Sequence, residues 1–311
     1  KKSITLTLSN ESENGTQLLP SQFISEIDEK YFKKNETQKN EKKLIEKNIL
    51  KFSAKKNINN ELKNKEYLKN LFIEQGLSVT ALNNYLDCPW KFFFNNLIRL
   101  PQAETKHQLY GTAVHRALKD FFDKWKTGDD LSKERLILSF ENYLKKSPMN
   151  KIDFKESYEK GKESLLGYYY NYKDKWARSV INELNIAGVY IDLDNNEKIM
   201  LKGKLDKVEI EKDGKVNVVD YKTGKPKTRN DIEGKTKNSL GGLKRQLVFY
   251  KILLDQFEKG KLVMTSGEID FIEPNKKGEY KKEKFFINEE DTVALKQLIK
   301  ETVISILNFS F

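Results

Sequence analysis

The spacing of apolar residues changes once along the chain, from a helical period to a strand period. From Ser78 to about residue 180, apolar residues recur every three or four positions, which predicts a series of amphipathic helices. Over 180–224 the period falls to about two, in three runs separated by the polar turns DNNE and KDG. This pattern predicts three successive strands, of which the third, KVNVVDYKTG, is the most apolar and suits the centre of a sheet.

Helical and extended patterns also alternate on both sides of these strands. Ser78 is predicted to cap a first helix, and Pro89 to open a short second helix that carries Trp90, Phe93 and Phe94. The run LYGTAVHRALKDFFDKW predicts a third helix that ends at Gly128, and two more are expected over 131–145 and 153–180.

After the three strands, a polar loop is expected over 225–240 and a helix over 243–257. The runs VMTSGEIDFIE and EYKKEKFFI predict further strands. Asn288, with Asp291 three residues later, resembles a capping box and predicts a last helix over 289–308. The order of elements predicts a mixed α/β fold, with a central mixed β-sheet flanked by helices and a helical N-terminal subregion.

The chain is predicted to have three regions. Residues 1–28 contain one alternating strand, SITLTLS, and residues 29–77 are rich in Lys, Asn and Glu, which indicates a polar linker with some helix. Residues 78–311 are then expected to form the folded domain.

Composition excludes several classes of protein. In 311 residues there is no apolar run of the ~18–20 residues that a bilayer crossing needs. The start, KKSITLTLS, lacks a signal peptide's apolar region, and a single cysteine cannot form an internal disulfide. A cytoplasmic protein without a membrane partner is expected. The net charge of +11 fits a polyanionic partner such as nucleic acid, although a general bias towards Lys, Asn and Ile would give the same charge.

Candidate chemistry lies on the second and third strands. Pairing across the turn at Asp213 and Gly214 can bring Asp206 close to Asp220, and paired carboxylates suit Mg²⁺ or Mn²⁺. Lys222 is two residues after Asp220 and so faces the same side of its strand. Such a site would hydrolyse a phosphodiester, with Lys222 orienting water or stabilising charge. The alternative is a surface salt bridge at a strand end.

Other candidates are weaker when each is taken alone. His115 lies in a helix behind small residues and is either a metal ligand or a packed histidine. Glu183, near the start of the first strand, offers another carboxylate. Gln246 and Tyr250 share one helix face and are either site residues or an ordinary surface pair.

Taken in order, four motifs resemble the RecB-like branch of the PD-(D/E)XK nuclease superfamily. They are YGTAVHRAL with His115, LKGKLDKVE with Gly203 and Asp206, VVDYKTGK with Asp220 and Lys222, and RQLVFYKILL with Gln246 and Tyr250. The resemblance covers 78–308 and implies a restriction-endonuclease-like core. It also implies a metal-dependent DNA nuclease, usually an exonuclease, that acts in DNA repair or recombination.

The resemblance also implies a role for each matching residue. His115, Asp206, Asp220 and the backbone carbonyl of Tyr221 match the ligands of Mg²⁺ or Mn²⁺, and Lys222 matches the catalytic lysine. Gln246 and Tyr250 match a motif near the DNA strand, and Glu183 matches a frequent acid of the first strand. The competing interpretations are a catalytically silent DNA-binding scaffold that keeps the fold, and a basic interaction protein without a metal.

Cys88 raises a separate question. In many relatives a run like CPW holds the first of four cysteines that bind a [4Fe–4S] cluster, which this chain cannot build because it has no second cysteine. Either Cys88 is a small buried hydrophobic residue, or the distal cysteines follow Phe311 in a longer chain. The abrupt apolar end, ISILNFSF, favours the longer chain.

The N-terminal run ITLTLSNESENGTQLLPSQFISEI is similar to the end of the motor region of UvrD-type DNA helicases. This similarity implies that the chain is the C-terminal part of a helicase–nuclease, with helicase motor domains in the same or an associated chain. The sequence leaves open the polarity of cleavage, the preference for single or double strands, and exonuclease against endonuclease action.

Overall fold

The chain divides after residue 60 into two compact units. In the first, Lys1–Asn60, a short 3₁₀ helix spans Glu29–Tyr31. The predicted strand SITLTLS and the predicted helix end at Gly128 lie outside the residues that the structure describes. A computed structural model describes the following residues: 24, 26–31, 64–127, 132–193 and 197–309.

Helices and strands of the second unit, Glu61–Phe311, follow the predicted order. The helices are α1 Lys65–Gln75, α2 Val79–Asp87, α3 Pro89–Phe92 with a π-helical continuation Phe93–Leu97, α4 Lys106–Trp125, α5 Lys133–Lys145, α6 Lys151–Tyr172, α7 Arg229–Glu233, α8 Gly242–Gln256 and α9 Glu289–Leu307. The strands are β1 Val180–Asp192, β2 Lys198–Ile210, β3 Lys215–Lys222, β4 Val263–Phe271 and β5 Lys281–Phe286.

Among the described residues, the strands form one five-stranded sheet in the order β1-β2-β3-β4-β5. β3 and β4 are parallel and the other neighbours are antiparallel, so the sheet is mixed. The parallel pair needs a crossover, which α8 supplies. The prediction that the apolar third strand lies at the centre is confirmed.

Helices cover both faces of the sheet, and β3 is therefore buried on both sides. Val218 belongs to a hydrophobic cluster with residues of α1, α2, α8 and α9. Its neighbour Val219 belongs to a second cluster with residues of α4, α5 and α6. Successive residues of a strand point to opposite faces, so these two valines mark the two layers of the core. The predicted mixed α/β fold with a helix-flanked central sheet is confirmed.

Two helices begin at the residues that the sequence predicts. The Ser78 side chain accepts a hydrogen bond from the Ala81 amide at 3.2 Å, and Pro89 is the first residue of α3. In α3, however, Phe92 is the buried aromatic, while Trp90 is 52% exposed. The predicted polar loop after β3 also contains the short helix α7.

Helix α1 belongs to this compact unit although the sequence places it in the polar linker. Leu68 and Phe72 are buried in the α8-side cluster. Gly76 then turns the chain with a φ of 64°, and Leu77 pairs with the edge of β2. The Leu77 amide donates to the Met200 carbonyl at 2.8 Å, so the chain before residue 78 contributes to the sheet.

Cys88 is exposed, so its interpretation as a small buried hydrophobic residue is wrong. It lies between α2 and α3, where its backbone ends one helix and begins the next, and this position keeps its thiol at the surface. Across the described ranges, no helix is both long enough and apolar enough to cross a membrane.

Candidate active site

The turn between β2 and β3 sets the register of the two candidate carboxylates. Asp213 and Gly214 adopt left-handed backbone angles, which close the antiparallel pair tightly. Within it Val208 pairs with Val218 and Lys207 with Val219, and the recorded pairing ends there. One residue further, the same register sets Asp206 opposite Asp220, where the two strands separate.

Beyond the last strand pair, the Asp206 carboxylate binds the backbone of β3 directly. Its Oδ2 accepts a hydrogen bond from the Tyr221 amide at 3.0 Å, and its Oδ1 lies 3.2 Å from His115 Nδ1 on α4. Burial alone would raise the pKa of Asp206, but the hydrogen bond and charge of His115 and the Tyr221 amide lower it. Burial likewise opposes the charge on His115, yet the hydrogen bond and charge of Asp206 raise the pKa of His115.

Asp220 is the more buried of the two acids, with 1% of its surface exposed. Its Oδ1 accepts a hydrogen bond from the Tyr250 hydroxyl at 3.1 Å, and Lys222 Nζ lies 2.5 Å from Oδ2. The Lys222 ammonium is thus the ion-pair partner of this buried oxygen. Burial raises the pKa of Asp220, Lys222 opposes the increase, and the charge of Asp206 adds to it.

Helix α8 connects Lys222 to Asp220 through a chain of hydrogen bonds. Lys222 Nζ donates to Gln246 Oε1 at 3.0 Å, and Gln246 Nε2 donates to the Tyr250 hydroxyl at 2.7 Å. The Tyr250 hydroxyl then donates to Asp220, which closes the circuit. Burial and the charges of Asp220 and Asp206 raise the pKa of Tyr250, so it stays a protonated donor.

Glycines allow two helices to approach these strands closely. A Cβ on Gly203 would lie 2.7 Å from Leu253 Cδ1, so a larger residue in β2 would push α8 away. A Cβ on Gly111 would lie 3.2 Å from Thr223 Oγ1, which shows how closely α4 passes the end of β3. This approach brings His115 to the carboxylates, with its ring 5.9 Å from that of Tyr221.

The chemistry of these side chains fits a hard divalent cation. Both aspartates lie close to the same neighbours, since their charges raise the pKa values of His115 and Tyr250. Asp220 Oδ2 is a buried acceptor beside the Lys222 ammonium. Carboxylate oxygens of this kind suit Mg²⁺ or Mn²⁺. In the described part of the chain, no three His, Cys, Asp or Glu side chains already converge on one ion position. His115 instead contacts Asp206, so the two aspartates are the donors that fit best.

Two predicted site residues are placed differently from the rest. Glu183 has a left-handed φ of 52°, which is rare for a residue with a side chain, and its carboxylate pairs with Lys204 Nζ at 2.7 Å. Glu183 therefore pairs with a residue other than Lys222, Gln246, Tyr250 and Asp220. Tyr221 contacts Asp206 through its amide, whereas the predicted role of its carbonyl stays a prediction.

Sequence reasoning missed one buried group beside the site. Lys207, next to Asp206, is completely buried, with Nζ 2.8 Å from Glu209 Oε1 and 4.3 Å from the centre of the Phe122 ring. The available signal was the pairing of Lys207 on β2 with Val219 on β3, the most apolar strand. A residue opposite a buried strand residue lies on the same buried face. Lys207 supports the strand from the opposite layer of the core.

Comparison with known proteins was made for sequence and for structure. The chain is 23% identical over 198 residues to an uncharacterised protein of Rickettsia bellii (strain RML369-C), covering 59% of this chain and 22% of that protein's length. A crystal structure of an exonuclease candidate from Eubacterium rectale aligns with a TM-score of 0.45 at 12% identity, over 83% of this chain and 87% of that one. The structure of SSO0001 aligns with a TM-score of 0.30 at 14% identity, over 77% and 84%. At these scores the structural likeness adds no argument.

The family comparison covers more than half of the chain. Residues 76–311 match a family model described as the PD-(D/E)XK nuclease superfamily. The matched region contains β1 to β5 and every candidate residue from His115 to Tyr250. By this match, the chain belongs to the PD-(D/E)XK nuclease superfamily.

Proposed function

We propose that this protein is a Mg²⁺- or Mn²⁺-dependent DNA nuclease that hydrolyses phosphodiester bonds at the site built around Asp206 and Asp220. The observation that carries the proposal is the circuit of hydrogen bonds that joins Lys222, Gln246, Tyr250 and Asp220. Burying a carboxylate costs folding free energy, so a fully buried Asp220 paired with a lysine at the end of a strand favours a functional role.

Each residue has a distinct role in the proposal. Asp206 and Asp220 hold the divalent ion, with His115 as a further ligand that also orients Asp206. A divalent ion bound there would polarise a phosphoryl oxygen and lower the pKa of its bound water. Lys222 orients the attacking water and stabilises negative charge as the phosphorus becomes pentacovalent.

Gln246 and Tyr250 act on the other groups and keep them in position. Gln246 holds the Lys222 ammonium, and Tyr250 holds one oxygen of Asp220, so the lysine and the carboxylate stay adjacent without a strand partner. The +11 charge of the chain favours a polyanionic substrate. Glu183 is proposed only as a supporting acid, because its contact is with Lys204.

The finer assignment is an exonuclease of the RecB-like branch that acts in DNA repair as part of a helicase–nuclease. The motif order from His115 to Tyr250 supports the branch. The chain spans 22% of the length of the Rickettsia bellii relative, which is compatible with a domain of a larger protein. Helicase motor domains, in the same or an associated chain, are the proposed partners, and the proposed location is the cytoplasm.

Cleavage of labelled DNA by Asp220→Ala, with Mg²⁺ or Mn²⁺, tests the proposal. We expect cleavage to fall by at least ~10²-fold, while DNA binding at low salt persists because the chain keeps its positive net charge. Asp192→Ala is the matched control, since Asp192 is an exposed strand aspartate paired with Lys198. Calorimetry should detect divalent-ion binding to the wild type and not to Asp220→Ala.

The outcomes separate the competing interpretations. DNA binding by the wild type without cleavage in either metal would favour a catalytically silent scaffold. Equal cleavage by Asp220→Ala and Asp192→Ala would place the chemistry elsewhere. Wild type that binds no divalent ion would refute the assignment of the two aspartates as ligands.

A further inference from the structure

A small cavity lies between the N-terminal helices and β2, away from the carboxylates. Its volume is about 70 Å³. The helical segment after α3 lines it on one side, together with Arg99 two residues beyond that segment. Lys202 of β2 lines the opposite side. None of the residues that line this cavity is acidic.

Two cationic side chains line this cavity, and no acidic side chain does. The charge that acts on Lys202 is that of Arg99, and together with burial it lowers the pKa of Lys202. Two adjacent positive charges cost free energy unless an anion lies between them. The arrangement therefore favours a negatively charged ligand.

Two asparagines of the helical segment also line the cavity. Asn95 Oδ1 accepts a hydrogen bond from Gln102 at 2.9 Å, and Asn96 Oδ1 accepts one from Asn84 at 2.8 Å. Because each amide oxygen is used in these bonds, the NH₂ groups of Asn95 and Asn96 are the ends left for a ligand. Ammonium, guanidinium and NH₂ groups all donate hydrogen bonds, which suits a phosphate.

Arg99 lies where the chain turns after the helical segment that follows α3. Arg99 has a φ of 51°, in the left-handed region that side chains rarely adopt. Its Nε donates to the Asn96 carbonyl at 3.3 Å, which fixes the guanidinium at the cavity. The left-handed φ belongs to the turn that ends the helical segment, where the Leu100 amide donates to the Phe94 carbonyl at 2.9 Å.

The cavity lies on the strand that carries Asp206. Lys202 precedes Asp206 by four residues, and at ~3.3 Å per residue this places the two positions about 13 Å apart along β2. In a stacked strand, about four nucleotides cover that distance at ~3.4 Å each. A phosphate held by Lys202 could thus belong to the same DNA strand as the one cleaved.

We propose that Arg99, Lys202, Asn95 and Asn96 form a phosphate-binding site that positions the DNA substrate about four nucleotides from the carboxylates. The proposal rests on the proposed nuclease function for its substrate, but the site can be tested by binding alone. Arg99 and Lys202 are positioning residues in it and do not touch the reacting phosphate.

The first test uses the wild-type protein and chemical acetylation of lysines, followed by mass spectrometry. A single-stranded DNA of about 12 nucleotides, within the site sizes of single-strand-binding folds, serves as the probe. We expect it to slow acetylation of Lys202 by about tenfold, equivalent to ~1.4 kcal/mol of protection. Lys198 is the internal control, because it lies four residues earlier on the same strand with its side chain 61% exposed.

Three probes distinguish the possible sources of the phosphate. Protection of Lys202 by inorganic phosphate and by DNA with a terminal phosphate, together with no protection by DNA that lacks one, would assign the site to strand ends. Equal protection by DNA with and without a terminal phosphate would assign it to an internal phosphate. Equal acetylation of Lys202 with and without every probe would refute the site.

The second test compares Lys202→Met with the matched variant Lys198→Met, since each removes one charge from the same strand. For Lys202→Met we expect DNA affinity to fall about tenfold and the salt dependence of log Kd to decrease by ~0.7 for the lost phosphate contact. Lys202→Arg should restore both. KM for cleavage should rise while kcat is retained, because Lys202 does not act on the reacting phosphate.

These measurements separate failure of the site from failure of the proposed function. If the wild type cleaves DNA and Lys202→Met binds and cleaves like Lys198→Met, the phosphate site is refuted and the nuclease stands. If no variant cleaves but Lys202 is protected and its substitution weakens binding, the site stands without the nuclease.

Discussion

Tyr250→Phe isolates the hydrogen bond that holds the buried carboxylate. The substitution removes one oxygen from a side chain that is 3% exposed and leaves the ring in place. Asp220 Oδ1 loses its donor, and Gln246 Nε2 loses its acceptor at 2.7 Å. The other oxygen of Asp220 contacts the Lys222 ammonium at 2.5 Å, so in the variant this ion pair would have to hold the buried carboxylate without the tyrosine.

The expected cost follows from these contacts. A hydrogen bond to a charged group contributes ~1.5–3 kcal/mol, and the free Gln246 amide can turn towards solvent, so we expect a loss of about 2 kcal/mol in the free energy of unfolding. For a unit of this size that loss lowers Tm by about 4–8 °C. Urea unfolding followed by circular dichroism, in buffer with a metal chelator, measures it.

A double-mutant cycle with Asp220→Asn tests the cause. Because asparagine carries no charge, Tyr250→Phe should cost about 1 kcal/mol less in that background, within the usual range of coupling for residues in contact. Tyr190→Phe is the control, since Tyr190 is 49% exposed and its substitution should change stability by less than ~0.5 kcal/mol. If Tyr250→Phe costs no more than Tyr190→Phe, or if the two site substitutions are additive, the hydrogen-bond circuit does not stabilise Asp220 as argued.

Three further predictions concern the site and its surroundings. Lys222→Met should slow DNA cleavage by ~10²-fold or more and leave Mg²⁺ affinity by calorimetry nearly unchanged, because Lys222 acts on water and phosphate; a parallel loss of ion binding would contradict this. Gly203→Ala should lower the free energy of unfolding by ~1–3 kcal/mol, because its Cβ would press on Leu253, and an unchanged urea midpoint would show that α8 can move away. Burial raises the pKa of Tyr280 to about 12, so its contribution to stability is complete below the unfolded value near 10 and is lost as pH rises through 12. The free energy of unfolding should therefore fall over that window, and less steeply in Tyr280→Phe.

The spacing of apolar residues and the order of the predicted elements were sufficient to predict the sheet, because each strand has its own local pattern. The central position of β3 followed from its valines, and the turn at Asp213 and Gly214 followed from its residue types. The convergence of His115 with Asp206 was different, since the two are 91 residues apart and only the order of motifs suggested it.

Other features depend on contacts that no local pattern encodes. The left-handed φ of Glu183 sets the direction of its carboxylate, and a strand pattern assumes extended backbone throughout. Lys207 is buried although lysine usually lies at the surface, because Glu209 and Phe122 compensate its charge. Cys88 is exposed because of a helix junction, which its residue type does not indicate.

The pairing of Leu77 with β2 has a practical consequence for producing this protein. Strand β3 pairs with only the last part of β2, and the amide of Lys202 donates to the Leu77 carbonyl at 3.1 Å in the part that β3 leaves open. A recombinant fragment that starts at residue 78 would expose unpaired backbone there, and bare sheet edges promote aggregation. Expression boundaries should therefore precede α1, so that Leu68, Phe72 and Leu77 remain to shield the strand that presents Asp206.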